Sequence, residues 1–289
     1  PKWQKPLLSI FTGVLLGIRL NRDLKGVYKP VLVYAVWLVL LTIAGEKLLV
    51  AAGIDKVTAF FAATPGGMAE ITLMSLDYGT DSFVTVLLQT SRMLISMSVF
   101  SAIASRYRND ETKMEQLPIN VAERKKVPNF LWVILFVGSL IGATLLKKLH
   151  VPVPNILAPM LIVGATMRMG KFSCKIDKKV QTVIQLGIGG LTGLSITRES
   201  MLGIPHYIIP VLLLSTVVIG AGLIMARILM HFTNWDKATC ILSCCPAGLS
   251  PTIMVAMEYG ANANIVTIFQ VLRMVTVLVA TPIMVELIL

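Results

Sequence analysis

The chain has 289 residues, of which 55% are hydrophobic and only 14% charged, and its mean hydropathy is +0.78. Soluble domains carry about 25% charged residues, so a water-soluble enzyme is excluded, as are collagen, disulfide scaffolds and disordered tails. The net charge of +11 comes from 26 Lys plus Arg against 15 Asp plus Glu. In a soluble protein it would suggest nucleic acid. In so apolar a chain it points instead to loops held on the cytoplasmic side of a membrane. The expectation is an all-α polytopic membrane protein whose partner is the lipid bilayer, with no nucleic acid.

A membrane helix needs about 20 mostly apolar residues. Such stretches occur at 6–19, 30–53, 57–76, 82–104, 129–146, 152–167, 180–197, 206–230, 237–257 and 262–287. Their aliphatic residues ring the helix, which argues against amphipathic surface helices. The first segment runs into the basic cluster Arg19, Arg22, Lys25 and Lys29. Segment 57–76 carries Pro65-Gly66-Gly67 in its middle, and 82–104 contains Gln89 and Arg92. The polar stretch 105–127, with Arg106, Arg108, Lys113, Arg124, Lys125 and Lys126, predicts a cytoplasmic loop between two halves. In the second half, segment 237–257 carries Pro246-Ala247-Gly248, and 262–287 contains Gln270 and Arg273.

Those last features form an internal repeat. A shift of 181 superimposes Pro65 on Pro246, Gly67 on Gly248, Tyr78 on Tyr259, Gly79 on Gly260, Gln89 on Gln270 and Arg92 on Arg273. Seven of 29 positions between 65–93 and 246–274 are identical, and few are interchangeable aliphatics. Asp55-Lys56 recurs as Asp236-Lys237, while Gly13, Gly17 and Arg22 recur at a shift of 176 as Gly189, Gly193 and Arg198. The organisation expected is a first repeat at 1–108, a cytoplasmic linker at 109–128 and a second repeat at 129–289. Segments 129–146 and 152–167 have no counterpart in the first copy, so the chain is expected to lack a native N-terminal piece or to have lost it. If the Pro-Gly segments are re-entrant the repeats are inverted, and if they cross fully the repeats are parallel. The dense cluster Arg19 to Lys29 favours re-entrance and inversion.

Pro followed by Gly inside an apolar segment breaks the backbone ladder and exposes N–H and C=O groups. Hydrocarbon cannot satisfy those groups, so protein or water must. Matching breaks in two halves are the strongest sequence pointer to a transporter site. Half-helix N-termini after Gly67 and Gly248 would then face a bound anion. The competing reading is a packing kink. Arg92 and Arg273 fall about ten residues into their segments, where an unpaired charge costs at least about 2.5–3.5 kcal/mol. Each could bind an anionic substrate through its guanidinium fork or form a structural ion pair with Glu70, Asp77 or Glu258. Gln89 and Gln270, three residues earlier, share the same helical face.

Glu70 is a candidate proton carrier whose counterpart is Pro251, so the copies are not equivalent there. Thr64, Thr72, Ser75, Ser250 and Thr252 could supply hydroxyls to substrate or Na⁺, although such hydroxyls often bond their own backbone. Cys240, Cys244 and Cys245 have no His nearby and read as buried reduced thiols, not a metal site. No Walker loop, HExxH or GxSxG motif occurs, so no catalytic residue, metal or cofactor is expected.

The repeated motif resembles that of the AbrB-type membrane protein family. That family is also labelled ammonia monooxygenase or regulator, and is distinct from the soluble DNA-binding protein of the same name. The resemblance rests on Thr64-Pro65-Gly66-Gly67-Met68-Ala69-Glu70, on Tyr78-Gly79-Thr80-Asp81 and on Gln89-Thr90-Ser91-Arg92. Its second copy reads Cys245-Pro246-Ala247-Gly248, Tyr259-Gly260-Ala261-Asn262 and Gln270-Val271-Leu272-Arg273. Ala158-Pro159-Met160 is similar to a Gly-Pro-Met segment of the family. Ala247 for Gly and Pro251 for Glu depart from the pattern. The family is distantly similar to inverted-repeat carriers of bile acids, citrate and glutamate, which implies transport without naming the cargo.

Together these features predict a secondary active transporter of a small, carboxylate-like organic anion in the bacterial cytoplasmic membrane. Its drive would be H⁺ or Na⁺, with Glu70, Asp77 and Glu258 as coupling-ion candidates, and a homodimer is compatible with the chain. The binding residues expected are Pro65, Gly66, Gly67, Glu70, Gln89, Arg92, Pro246, Ala247, Gly248, Ser250, Gln270 and Arg273. The alternative is a membrane ligand-binding or regulatory protein that senses a small molecule without moving it.

Overall fold

The computed structural model describes residues 4–19, 28–108, 125–148, 154–170, 172–173, 179, 182–183, 186–187, 190, 193 and 203–288. The expected segment 180–197 and linker 109–128 lie largely outside the described residues. In chain order the helices are α1 (Gln4–Arg19), α2 (Tyr28–Ala51), α3 (Lys56–Ala63), α4 (Met68–Asp77) and α5 (Ser82–Ala104). Then follow α6 (Asn129–Lys148), α7 (Pro154–Met169), α8 (Ile208–Phe232), α9 (Lys237–Ser243), α10 (Leu249–Glu258) and α11 (Ala263–Ile288). The polar loop expected from residue 105 starts later, because Ser105–Tyr107 continue α5 as a 3₁₀ turn. A two-residue parallel pairing joins Lys125–Lys126 to Phe172–Ser173.

Five of the helical spans are long and apolar enough to cross a bilayer: Lys29–Ala51, Ser82–Tyr107, Phe130–Lys148, Ile204–Phe232 and Ala263–Leu287. The protein is therefore an all-α, multi-pass membrane protein. Its surface agrees, since α6 exposes Phe130, Val133, Ile134, Val137, Ile141 and Leu145. That continuous apolar face suits lipid and would drive aggregation in water. The interior holds aromatic residues such as Phe60, Phe61, Phe100 and Phe269, but also polar ones, including Gln89, Arg92, Gln270 and Arg273.

Close helix approach depends on small residues, as it does generally where lipid gives no hydrophobic drive. A Cβ on Gly17 of α1 would lie 2.8 Å from the carbonyl oxygen of Met160 in α7. A Cβ on Gly45 of α2 would lie 2.9 Å from that of Ala63, the last residue of α3.

Two pairs of short helices flank the Pro-Gly motifs, with Thr64–Gly67 between α3 and α4 and Cys244–Gly248 between α9 and α10. Their local structures correspond at the same offset of 181. Asp55 caps α3 by accepting from Thr58 N, and Asp236 caps α9 by accepting from Thr239 N. Asp81 Oδ1 accepts from Phe83 N and Val84 N at the start of α5, and Asn262 Oδ1 from Asn264 N and Ile265 N at the start of α11. Gly79 and Gly260 both take positive φ, 67° and 71°, where a side chain would be strained. Replacing Asp55 or Asp236 by Ala is expected to cost about 1 kcal/mol each by loss of the cap, read from denaturation in detergent micelles. A neutral result for both would mean that the caps are replaced by solvent.

Candidate functional site

The long helix after each break is hydrogen-bonded to the break. Gln89 Nε2 donates to the carbonyls of Phe61 (2.8 Å) and Thr64 (3.5 Å). Its counterpart Gln270 Nε2 donates to those of Leu242 (3.2 Å) and Cys245 (2.9 Å), each 181 residues on. Asp81 N donates to Thr58 Oγ1, and Asn262 N to Thr239 Oγ1. The exposed backbone that a break creates is thus partly satisfied by amide side chains of the next helix.

The arginines serve the same ends, but unequally. Arg92 Nη1 donates one long bond, 3.5 Å, to the Ala63 carbonyl at the C-terminus of α3. Arg273 donates two short ones, from Nη1 to Cys245 O (2.8 Å) and from Nη2 to Ala247 O (2.6 Å). Both side chains are buried, and both Nε groups lack a partner. A cation at a helix C-terminus is favoured by the dipole. Among the described residues no carboxylate bonds either guanidinium.

Each long helix also lies against the break of the other block. A Cβ on Gly67 would meet the terminal methyl of Met274 at 2.8 Å, and one on Gly248 the sulfur of Met93 at 3.7 Å. Met93 and Met274 are themselves 181 residues apart. Further contacts cross between blocks: Thr252 Oγ1 reaches the Met97 sulfur at 3.9 Å, and Ser101 Oγ lies 3.0 Å from Tyr259 Oη. The geometry therefore gathers Pro65–Gly67, Gln89 and Arg92 with Pro246–Gly248, Gln270 and Arg273.

The acidic candidates divide. Glu70 is buried in the first turn of α4, its carboxylate packed against Gly67, the N-cap. There the helix dipole favours a negative charge. Asp77 and Glu258 end α4 and α10 and are exposed, so neither joins the arginines. Thr64, Thr72 and Thr252 donate to carbonyls four residues earlier in their own helices, and Ser75 to that of Thr72, leaving fewer hydroxyls for a ligand. Ser250 sits in the first turn of α10, with its side chain outside what is described. Cys240, Cys244 and Cys245 are buried free thiols, and no metal-holding group of His, Cys, Asp or Glu occurs among the described residues.

Several buried polar groups escaped the sequence reading. Glu46 is buried within the span Lys29–Ala51, and a carboxyl inside an apolar span was signal enough to find it. Ser96, one turn beyond Arg92, and Ser243, at the end of α9, have buried hydroxyls without partners. A lone Ser in an apolar helix carries no such signal, because its partner is decided by packing.

With this arrangement in view, the profile of the family described as "Transition state regulatory protein AbrB" matches residues 2–289. The chain belongs to the AbrB family. It is 23% identical over 293 residues to "Uncharacterized protein YhjN" of Bacillus subtilis (strain 168), covering 95% of this chain and 76% of that protein. It is also 23% identical over 230 residues to "Putative regulator AbrB" of Escherichia coli (strain K12), covering 78% of this chain and 64% of that one. No solved structure matches the chain. The second alignment, at under two thirds of the Escherichia coli protein, supports relationship and says nothing of that protein's activity.

Proposed function

We propose that this AbrB-family protein is a secondary active transporter of a small organic anion in the bacterial cytoplasmic membrane. The observation that carries this reading is the pair of buried arginines near the middle of spans Ser82–Tyr107 and Ala263–Leu287. Among the described residues their bonds go to backbone carbonyls, and both Nε groups are unpartnered. Two desolvated like charges are costly, and a bound anion offsets that cost. The breaks between α3 and α4 and between α9 and α10 act as the discontinuous helices of two inverted repeats, with one helix group moving against the other. No chemistry on the substrate is needed.

Uptake of labelled carboxylates by proteoliposomes containing the purified chain tests this. Accumulation driven by a proton or sodium gradient is the expected result, and binding without flux would reject transport. Glu70→Gln separates the remaining roles. Exchange that survives while pH-gradient drive disappears assigns the coupling proton to Glu70. Unchanged gradient dependence assigns Glu70 to the N-terminus of α4 alone.

The second reading is a membrane ligand sensor. The family description and the name of the Escherichia coli relative both carry the word regulator or regulatory. Saturable binding through the same arginines, with no flux under any gradient, would select it.

A further inference from the structure

The two breaks differ in charge. In the first, the protein's own carboxylate, Glu70, packs against the N-cap Gly67 of α4. In the second, Pro251 stands at that position, and the nearest atoms to a Cβ on the N-cap Gly248 of α10 are two of its ring carbons, at 3.3 and 3.5 Å, and the Met93 sulfur at 3.7 Å. The N-terminus of α10 thus has no acidic residue in its first turn. A helix N-terminus alone makes no site, but unpartnered buried groups accompany this one.

Gln270 Nε2 and Arg273 Nη1 donate to the same carbonyl, Cys245 O, at 2.9 and 2.8 Å, which holds the amide beside the guanidinium. Gln270 Nε2 also donates to Leu242 O, so the amide orientation is set: turning it would put oxygen against two carbonyl oxygens. Gln270 Oε1 is then a fully buried acceptor without a donor, while Arg92 Nε and Arg273 Nε are buried donors without an acceptor. An orphaned buried polar group costs roughly 1–3 kcal/mol. A ligand that satisfies all three must carry an anionic acceptor and, close to it, a donor. With Arg273 bonded to the same carbonyl as Gln270, an ammonium group there is disfavoured, which leaves a neutral hydroxyl.

We infer that the second break binds a 2-hydroxycarboxylate, with its carboxylate taken by the arginines and the N-terminus of α10 and its hydroxyl donating to Gln270 Oε1. This rests on the anion-site reading and narrows it.

The test measures binding to the purified full chain in detergent, by calorimetry and thermal shift. Matched pairs are used: lactate against propionate, malate against succinate, and alanine as the ammonium analogue of lactate. At least tenfold tighter binding of the hydroxy acid in one pair is expected, with alanine no better than propionate. In Gln270→Met the ratio should fall towards one. If that variant does not fold, the ligand series on the native chain decides alone. Equal affinities within each pair, lost in Arg92→Met and Arg273→Met, would overturn the hydroxyl assignment while keeping the anion site. Absence of binding for every probe, or binding that persists in both arginine variants, would overturn the anion site itself.

Discussion

Arg273→Met is expected to destabilise the protein by about 2 kcal/mol, whereas Arg92→Met should stay within about 1 kcal/mol of the native chain. The two residues occupy matching places in the repeat, so sequence alone assigns them equal weight. Their bonding is unequal. Arg273 holds Cys245 O and Ala247 O at 2.8 and 2.6 Å, and its loss leaves the Ala247 carbonyl without that donor in a buried break. Arg92 makes one bond, long at 3.5 Å, so its removal takes away little hydrogen bonding. Methionine keeps the aliphatic stem, so the comparison isolates charge and hydrogen bonding from cavity formation. Both variants should nonetheless lose anion binding and uptake, because the proposed site uses both charges. Equal losses of stability, read by denaturant titration in micelles, would contradict the unequal capping. Normal uptake by both would sink the arginine site.

Gly67→Ala should cost about 2 kcal/mol, and Gly248→Ala close to nothing. A methyl on Gly67 falls into the Glu70 carboxylate and lies 2.8 Å from the Met274 terminal methyl. Methionine is flexible and can yield, whereas the carboxylate is buried in the first turn of α4, where moving it disturbs its packing. On Gly248 the same methyl meets ring carbons of Pro251 at 3.3 Å and beyond, near ordinary contact. Both glycines have negative φ, −75° and −67°, so neither substitution strains the backbone. Gly→Ala at a compatible φ even gains about 0.4–1 kcal/mol by restricting the unfolded chain. The mechanism predicts coupling. Gly67→Ala combined with Glu70→Ala should cost less than the sum of the two single changes, since removing the carboxylate removes the clash. Additive losses in a double-mutant cycle would place the steric conflict elsewhere.

Much of the fold was legible because lipid imposes simple rules. Apolar stretches of about 20 residues mark spans, and α2, α5, α6, α8 and α11 fall where hydropathy puts them. The helix ends at the breaks were legible too. Pro65 and Pro246 cannot continue a ladder, and Asp55, Asp81, Asp236 and Asn262 are residue types that cap helices. What the residues near the breaks bind was not legible. Asp77 and Glu258 are candidates by residue type and exposed helix ends in space.

The membrane class, the positions of the apolar segments and the recurrence of a Pro-Gly motif with Gln and Arg 181 residues on are written in the chain itself. Hydropathy and backbone chemistry are local properties, and a local pattern reports them directly. Only the tertiary structure decided that each long helix lies against the opposite break, and that Glu70 packs on its own helix N-terminus. It also brought Arg92 and Arg273 onto backbone carbonyls, with no carboxylate on either among the described residues. Those are contacts between residues far apart in the chain. A buried charge takes whatever partner packing brings within about 3 Å, and spacing along the sequence does not specify that partner.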